Sequence, residues 1–126
     1  MEPSLENEEV IGMSVFDERR RSFEEKFRLE EELYFKLTAR RNHLFGRWAA
    51  GVLGLSGSAA DDYARSVVFA DLQQPGDDDV IVKVEQDLSA NSILTTRGQL
   101  RQKLDEFARE ARAQLMAAKM NRNAAG

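Results

Sequence analysis

Proline occurs at only two positions, Pro3 and Pro75. Its ring removes a backbone N–H and clashes with the preceding turn, which makes it the strongest local barrier to a helix interior. The stretches 4–74 and 76–126 are free of it, and both are rich in Ala, Leu, Glu, Arg and Lys, the better helix formers. Mostly helix is therefore expected. The runs VVFADL (67–72) and VIVKV (80–84) carry β-branched residues, but they are short and sit inside helical patterns, so both read as helix.

Four helices follow from the punctuation. The first is expected from Asp17, an N-cap followed by Glu18 in the favourable first turn, to about Leu53, where Gly51, Gly54 and Gly57 dissolve it. Phe16, Phe23, Phe27, Tyr34, Leu37, Leu44, Trp48 and Val52 recur mostly at steps of three, four or seven and share one side of it. Gly46 within it is either a point of close helix approach or a tolerated defect. Ser58 and Asp61 resemble a capping box opening a second helix that ends near Gln73, with Ala60, Tyr63, Ala64, Val67, Val68 and Leu72 as its apolar face. Pro75-Gly76 is a turn, Asp77 can cap, and a third helix is expected over about 78–88. Thr96 and Gln99 form a T-x-x-Q box for the last helix, whose Leu100, Leu104, Phe107, Ala111, Leu115 and Ala118 step by three or four until NRNAAG frays. The fold class is all-α: a small antiparallel four-helix bundle.

Composition narrows the function. At 126 residues the chain fits one ordinary domain, and 42% hydrophobic residues suffice for a modest core. The chain has no cysteine and a single histidine, His43, which removes thiol chemistry and disulfides and leaves no imidazole cage for a metal. A net charge of −4 argues against nucleic-acid binding, which draws on surplus Lys and Arg. The first twelve residues hold four glutamates and no basic residue, unlike a signal or transit peptide, and the longest apolar run, Trp48 to Leu55, is far shorter than the ~20 residues of a membrane span. A soluble protein without membrane insertion is expected.

The lengths do not match. At 1.5 Å per residue the first helix reaches about 55 Å and the last about 35 Å, so the amino-terminal half of the first helix is expected to project as an arm. This divides the chain into an acidic flexible extension (1–12), an arm (13–30), a helical body (31–120) and a frayed tail (121–126). The arm, DERRRSFEEKFRLE, is mostly charged apart from Phe23 and Phe27, which share a face with Phe16, and a monomer rarely leaves such a stripe bare. The arm is read as a binding element, frayed or helical when free. Three Phe rings contribute roughly 1.5–3 kcal/mol each on burial, while ordering each backbone residue costs about 1–2 kcal/mol, so apolar contact alone is weak. Arg19, Arg20 and Arg21 can add charge-assisted bonds to partner carboxylates, and Glu24, Glu25 and Lys26 can fix register. On charge pattern alone two other readings stay open: an intramolecular helix laced by salt bridges, and a homodimeric coiled coil.

FDER (16–19), EEKF (24–27) and above all ARRNHLFGRWAAGVLG (39–54) resemble the zeta-subunit family of inhibitors of the bacterial F-type ATP synthase. Ala39, Arg40, Arg41, Asn42, Leu44, Gly46, Trp48, Ala49, Ala50 and Gly54 follow the family pattern, as do Tyr63-Ala64, Val67-Val68, Asp71 and the PGDDDV turn (75–80). The resemblance implies a non-catalytic four-helix protein whose amino-terminal segment enters a catalytic interface between alpha and beta subunits of the synthase head, against the rotor gamma subunit. There it blocks rotation in the hydrolytic direction. It implies a monomer when free and a cytoplasmic place, peripheral to the inner membrane through the synthase. Carried over by position, the partner-binding residues are Phe16, Asp17, Arg19, Arg20, Phe23, Glu24, Lys26 and Phe27. Many relatives carry an acidic residue after this start where the present chain has Arg20 and Arg21, and the acidic extension before Met13 is a second departure. The alternative is a helical adaptor that self-associates through its first helix.

The remaining features have plain readings. Asp77, Asp78 and Asp79 lack the further carboxylate an EF-hand loop needs and are explained by helix capping, so no metal is expected. A di-iron Glu-x-x-His motif fails because Arg40 stands three residues before His43. No G-x-x-x-x-G-K-[ST] loop is present, so no cofactor is expected, though a weak nucleotide contact stays open. His43 reads as structural, Trp48 as a core anchor, and Arg40 and Arg41 equally as an interaction patch or a solvated stripe. No enzyme constellation emerges.

Overall fold

Pro3 opens the first helix, in the first turn, where a backbone N–H has no partner within the helix to lose. The computed structural model describes the backbone of residues 3–73 and 76–125, and the side chains of residues 17–73, 76 and 78–122. Four helices account for nearly all of it: α1 Pro3–Val52, α2 Gly57–Gln73, α3 Asp77–Ala90 and α4 Arg97–Ala125, with no strand among the described residues. The all-α, four-helix architecture is the one expected.

Several boundaries differ from expectation. α1 starts at Pro3 and not at Asp17, so Asp17 lies inside the helix and caps nothing. Pro3 at the first position supplies an earlier start signal. The expected acidic extension thus enters α1 at Pro3. α2 begins at Gly57, one residue ahead of Ser58, and Asp61 pairs with Arg47 of α1 instead of closing a capping box. Gly76 stands at the N-cap of α3 where Asp77 was expected. α4 runs to Ala125, through most of the stretch 121–126 expected to fray. Its start does match the sequence reading: the Thr96 N–H donates to Gln99 Oε1 and the Gln99 N–H to Thr96 Oγ1, both at 3.1 Å.

Two helix ends stop by the same device. The Leu55 N–H reaches back to the Ala50 carbonyl (2.8 Å) and the Gly54 N–H to the Gly51 carbonyl (3.0 Å), with Gly54 left-handed at φ +81°. This is the paired closure that satisfies the last orphan carbonyls of a helix. α3 repeats it: Ile93 N–H to the Leu88 carbonyl (2.9 Å), Ser92 N–H to the Ser89 carbonyl (3.0 Å), with Ser92 at φ +61°.

The chain divides into two units, Met1–Phe35 and Lys36–Gly126. The second holds the core. Phe45, Ala49, Val67, Val80, Ile81, Val84, Leu88, Leu100 and Leu104 are buried together, with Trp48, Leu53, Tyr63, Ile93 and Phe107 packed partly against them. Both β-branched runs are helical, because Val80, Ile81, Val84 and Leu88 recur with the period of a helix facing a core. On α1 the buried positions Asn42, Phe45 and Ala49 fall one residue out of step with the expected Leu44 and Trp48, which are half-buried. Gly46 marks a close approach: a Cβ there would meet the Ala64 Cα at 2.7 Å. Of the expected α2 face, Leu72 is exposed, as is Phe69 beside it.

Candidate interaction surface

The amino-terminal unit is described by its exposure. Every residue from 17 to 36 is exposed. Large apolar side chains are among them: Phe23 at 71%, Phe27 at 54% and Tyr34 at 67%, spaced by four and seven along one helix face. A monomer rarely leaves contiguous apolar surface in water unless it meets something. Asp17, Arg19, Arg20, Phe23, Glu24, Lys26 and Phe27, the expected partner-binding residues, all lie on this stretch of α1; the Phe16 backbone continues the same helix, and its side chain lies outside those described.

Sequence reasoning stopped the surface too early. Leu29, Leu33 and Phe35 are each more than half exposed and were not singled out, and Tyr34 was placed on the stripe but not among the partner residues. The signal was present in LEEELYFK (29–36), where apolar residues follow one another among glutamates.

Residues of α1 from Lys36 on belong to the second unit, and several of their side chains are engaged within it. Arg40 is exposed and donates to Gln114 Oε1 of α4 at 3.1 Å, and Arg41 Nε donates to Asn42 Oδ1 at 3.0 Å. Asn42 is wholly buried and its Nδ2 has no partner, the one such fully buried polar side chain among the described residues. Trp48 stacks on Phe45 with centroids 5.8 Å apart and carries Lys103 Nζ over its ring at 5.5 Å, so it is a half-buried anchor. His43 is exposed.

A second polar cluster ties α2 to α3. The Tyr63 hydroxyl donates to Asp87 Oδ2 at 2.9 Å, and Lys83 Nζ donates to the same oxygen at 2.9 Å while lying 5.4 Å from the Tyr63 ring. Burial first, then the hydrogen bond and charge of Asp87, push the Tyr63 hydroxyl pKa well up. Lys83 also lines an open groove of about 390 Å³ with Ala70, Gln73, Asp79, Val82 and Gln86, but its charge is already committed to Asp87. Asp78 likewise accepts from Arg101 at 2.8 Å. Among the described residues no three His, Asp or Glu side chains gather to hold a metal, and no helix is long and apolar enough to cross a membrane.

The profile of the ATPase inhibitor subunit zeta family matches residues 13–114. The chain belongs to that family. The zeta-family match takes in the exposed stripe as well as most of the four-helix body, and its first residue is Met13, so residues 1–12 stand outside it. A structure solved by solution NMR is similar to this zeta-family chain over 67% of its length and 95% of that chain, at 43% identity and a TM-score of 0.59. No curated protein sequence matches. The family description makes the chain an ATPase inhibitor subunit, in line with the resemblance read from FDER and ARRNHLFGRWAAGVLG.

Proposed function

We propose that this chain inhibits ATP hydrolysis by the F-type ATP synthase by docking the α1 stretch from Met13 to Glu30 at a catalytic alpha/beta interface beside the rotor gamma subunit, blocking rotation in the hydrolytic direction. The observation that carries this reading is the exposure of Phe23 and Phe27 on a helix that the family match covers from Met13 onward. In it Phe16, Phe23 and Phe27 enter apolar ground on the partner. Arg19 and Arg20 meet carboxylates, and Asp17, Glu24 and Lys26 set the register. The protein acts by occupancy and carries out no reaction of its own. Its place is cytoplasmic, at the membrane only through the synthase.

The body, by contrast, needs no arm to fold, because its buried cluster is drawn from residues 45–104. Deleting residues 1–30 should leave the helical signal of the body and its cooperative unfolding, and should abolish inhibition of ATP hydrolysis by the source organism's own synthase. Full inhibition by the truncated protein overturns the reading. Comparing proteins started at Met1 and at Met13 measures what the preceding segment adds or subtracts.

A further inference from the structure

Positions 16, 20, 23, 27, 30 and 34 of α1 step by four and three in alternation, the spacing of a coiled-coil seam. They are filled by Phe, Arg, Phe, Phe, Glu and Tyr, and those from Arg20 onward are exposed. On one flank of the seam Asp17, Glu24 and Glu31 recur every seven residues; on the other stand Arg19 and Lys26. Arg21 and Arg28, four residues after Asp17 and Glu24, moderate the acidic column without lying in it.

A second copy is the simplest occupant of such a seam, and it fits in neither orientation. In a parallel pair the flanks agree, Arg19 with Glu24 and Lys26 with Glu31 of the other copy, but Arg20 meets Arg20 and Glu30 meets Glu30 within the seam itself. Bringing like charges together in a partly desolvated seam is unfavourable, since neither gains a partner to offset its lost hydration. In an antiparallel pair centred on Glu25 the seam agrees: Phe16 faces Tyr34, Arg20 faces Glu30 and Phe23 faces Phe27. The flanks then fail, because each acidic column meets its own copy and each basic column does the same.

Every position is satisfied only by a surface that differs from this one. We infer that the Phe16–Tyr34 face of α1 is specified for a heterologous protein cleft with an apolar floor, a basic wall along Asp17, Glu24 and Glu31, and an acidic wall along Arg19 and Lys26. Within the floor a carboxylate meets Arg20 and a cation meets Glu30, and these two residues bar parallel self-pairing. The inference rests on the reading of this stretch as a docking element, and it extends that element to Tyr34.

Sedimentation equilibrium of the full chain tests the seam without any synthase. The wild type is expected to stay monomeric to high micromolar concentration, and the Arg20→Leu/Glu30→Leu variant, its charge conflict removed, to form a dimer whose helix melting depends on concentration. A dimeric wild type overturns the inference in favour of a second copy; a monomeric double variant with its helix content retained shows that the two charges bar nothing and also overturns it. ATP-hydrolysis inhibition then tests the walls. Reversing Asp17 and Glu31 to Lys should weaken inhibition by about tenfold or more, whereas reversing Glu18 and Glu32, equal in charge but on the side of the helix opposite the seam, should change it by less than about twofold. Equal effects overturn the wall assignment. A wild type that fails to inhibit at all overturns the proposed function alone, since sedimentation decides the seam by itself.

Discussion

The two parts of α1 on either side of Lys36 both carry aromatic rings and have opposite fates. Before it, Phe23, Phe27, Leu29, Leu33, Tyr34 and Phe35 are more than half exposed. After it, Phe45, Ala49 and Ala50 are wholly buried, and Gly46 lies against Ala64 and Val67 of α2. Large apolar side chains do not by themselves set the difference, since the exposed part carries Phe23, Phe27, Tyr34 and Phe35. Residue size at the contact sets it: Gly46, Ala49 and Ala50 let another helix approach closely, whereas rings interleaved with glutamates and arginines hold a neighbour off.

The sharpest way to break this comparison is to cut the same ring on each side. Phe45→Ala should destabilise the chain by about 3–5 kcal/mol, as expected of a fully buried Phe that stacks on Trp48 and lies 6.4 Å from the Phe107 ring, and urea unfolding will read it. Phe27→Ala, at 54% exposure, should change stability by no more than about 0.5 kcal/mol and still weaken inhibition of ATP hydrolysis. If both variants lose stability alike, the amino-terminal stripe is core and not a docking face.

Next comes the pair Gly46 and Gly51, five residues apart on the same helix. A Cβ at Gly46 meets backbone of α2 at 2.7 Å, so Gly46→Ala should cost about 1–3 kcal/mol even though Ala favours helix. At Gly51 nothing lies within 4 Å, and Gly51→Ala should add up to about 1 kcal/mol of stability. Opposite signs from one substitution would show that close packing, and not helix propensity, decides which part of α1 is covered.

The same contrast explains what the sequence made legible. Helix content, the Thr96–Gln99 cap and the glycine stop after α1 are local chemistry, readable from a few neighbouring residues, and they are found where expected. The exposure of residues 17–27 was legible because charge density so high leaves little room for burial. The buried face of α1 was not. Periodicity pointed to Leu44 and Trp48, but Phe45 and Asn42 face the core, because which of two adjacent helical stripes is covered depends on where α2 and α4 lie. The start of α1 was missed for a related reason: Asp17 is a good cap only if no earlier signal wins, and Pro3 wins. Leu29, Leu33 and Phe35 were overlooked because they break the single stripe on which the reading relied.

A smaller effect separates the units by pH. The Tyr63 hydroxyl belongs to the body, and its folded-state pKa lies above the ordinary value of about 10. Below pH ~10 the folded and unfolded forms both hold the proton and the contribution is intact; as the pH rises further the unfolded chain releases it first, so stability falls. Tyr63→Phe should cost about 1 kcal/mol at neutral pH, since it removes one hydrogen bond and leaves Asp87 paired with Lys83. The gap between variant and wild type should then narrow in alkaline solution. Inhibition at neutral pH should be unchanged, because Tyr63 belongs to the second unit and not to the stretch 13–30 proposed to dock.

The smallest expected change tests whether the body's helix ends are set by backbone geometry alone. α1 stops on Gly54 at φ +81°, where a left-handed residue is free of strain, while α3 stops by the same bond pattern on Ser92 at φ +61°. A side chain in that region is disfavoured, and glycine is not. Ser92→Gly should therefore stabilise the protein by about 0.5–1 kcal/mol, measurable as a rise in the melting temperature. Gly54→Ser should destabilise by a similar amount through the reverse argument. If Ser92→Gly instead lowers stability, the contribution of Ser92 lies in its side chain, and the two stops are alike in hydrogen bonds but not in what holds them. Either outcome leaves residues 17–36 untouched, so inhibition should remain that of the wild type while the body's stability moves.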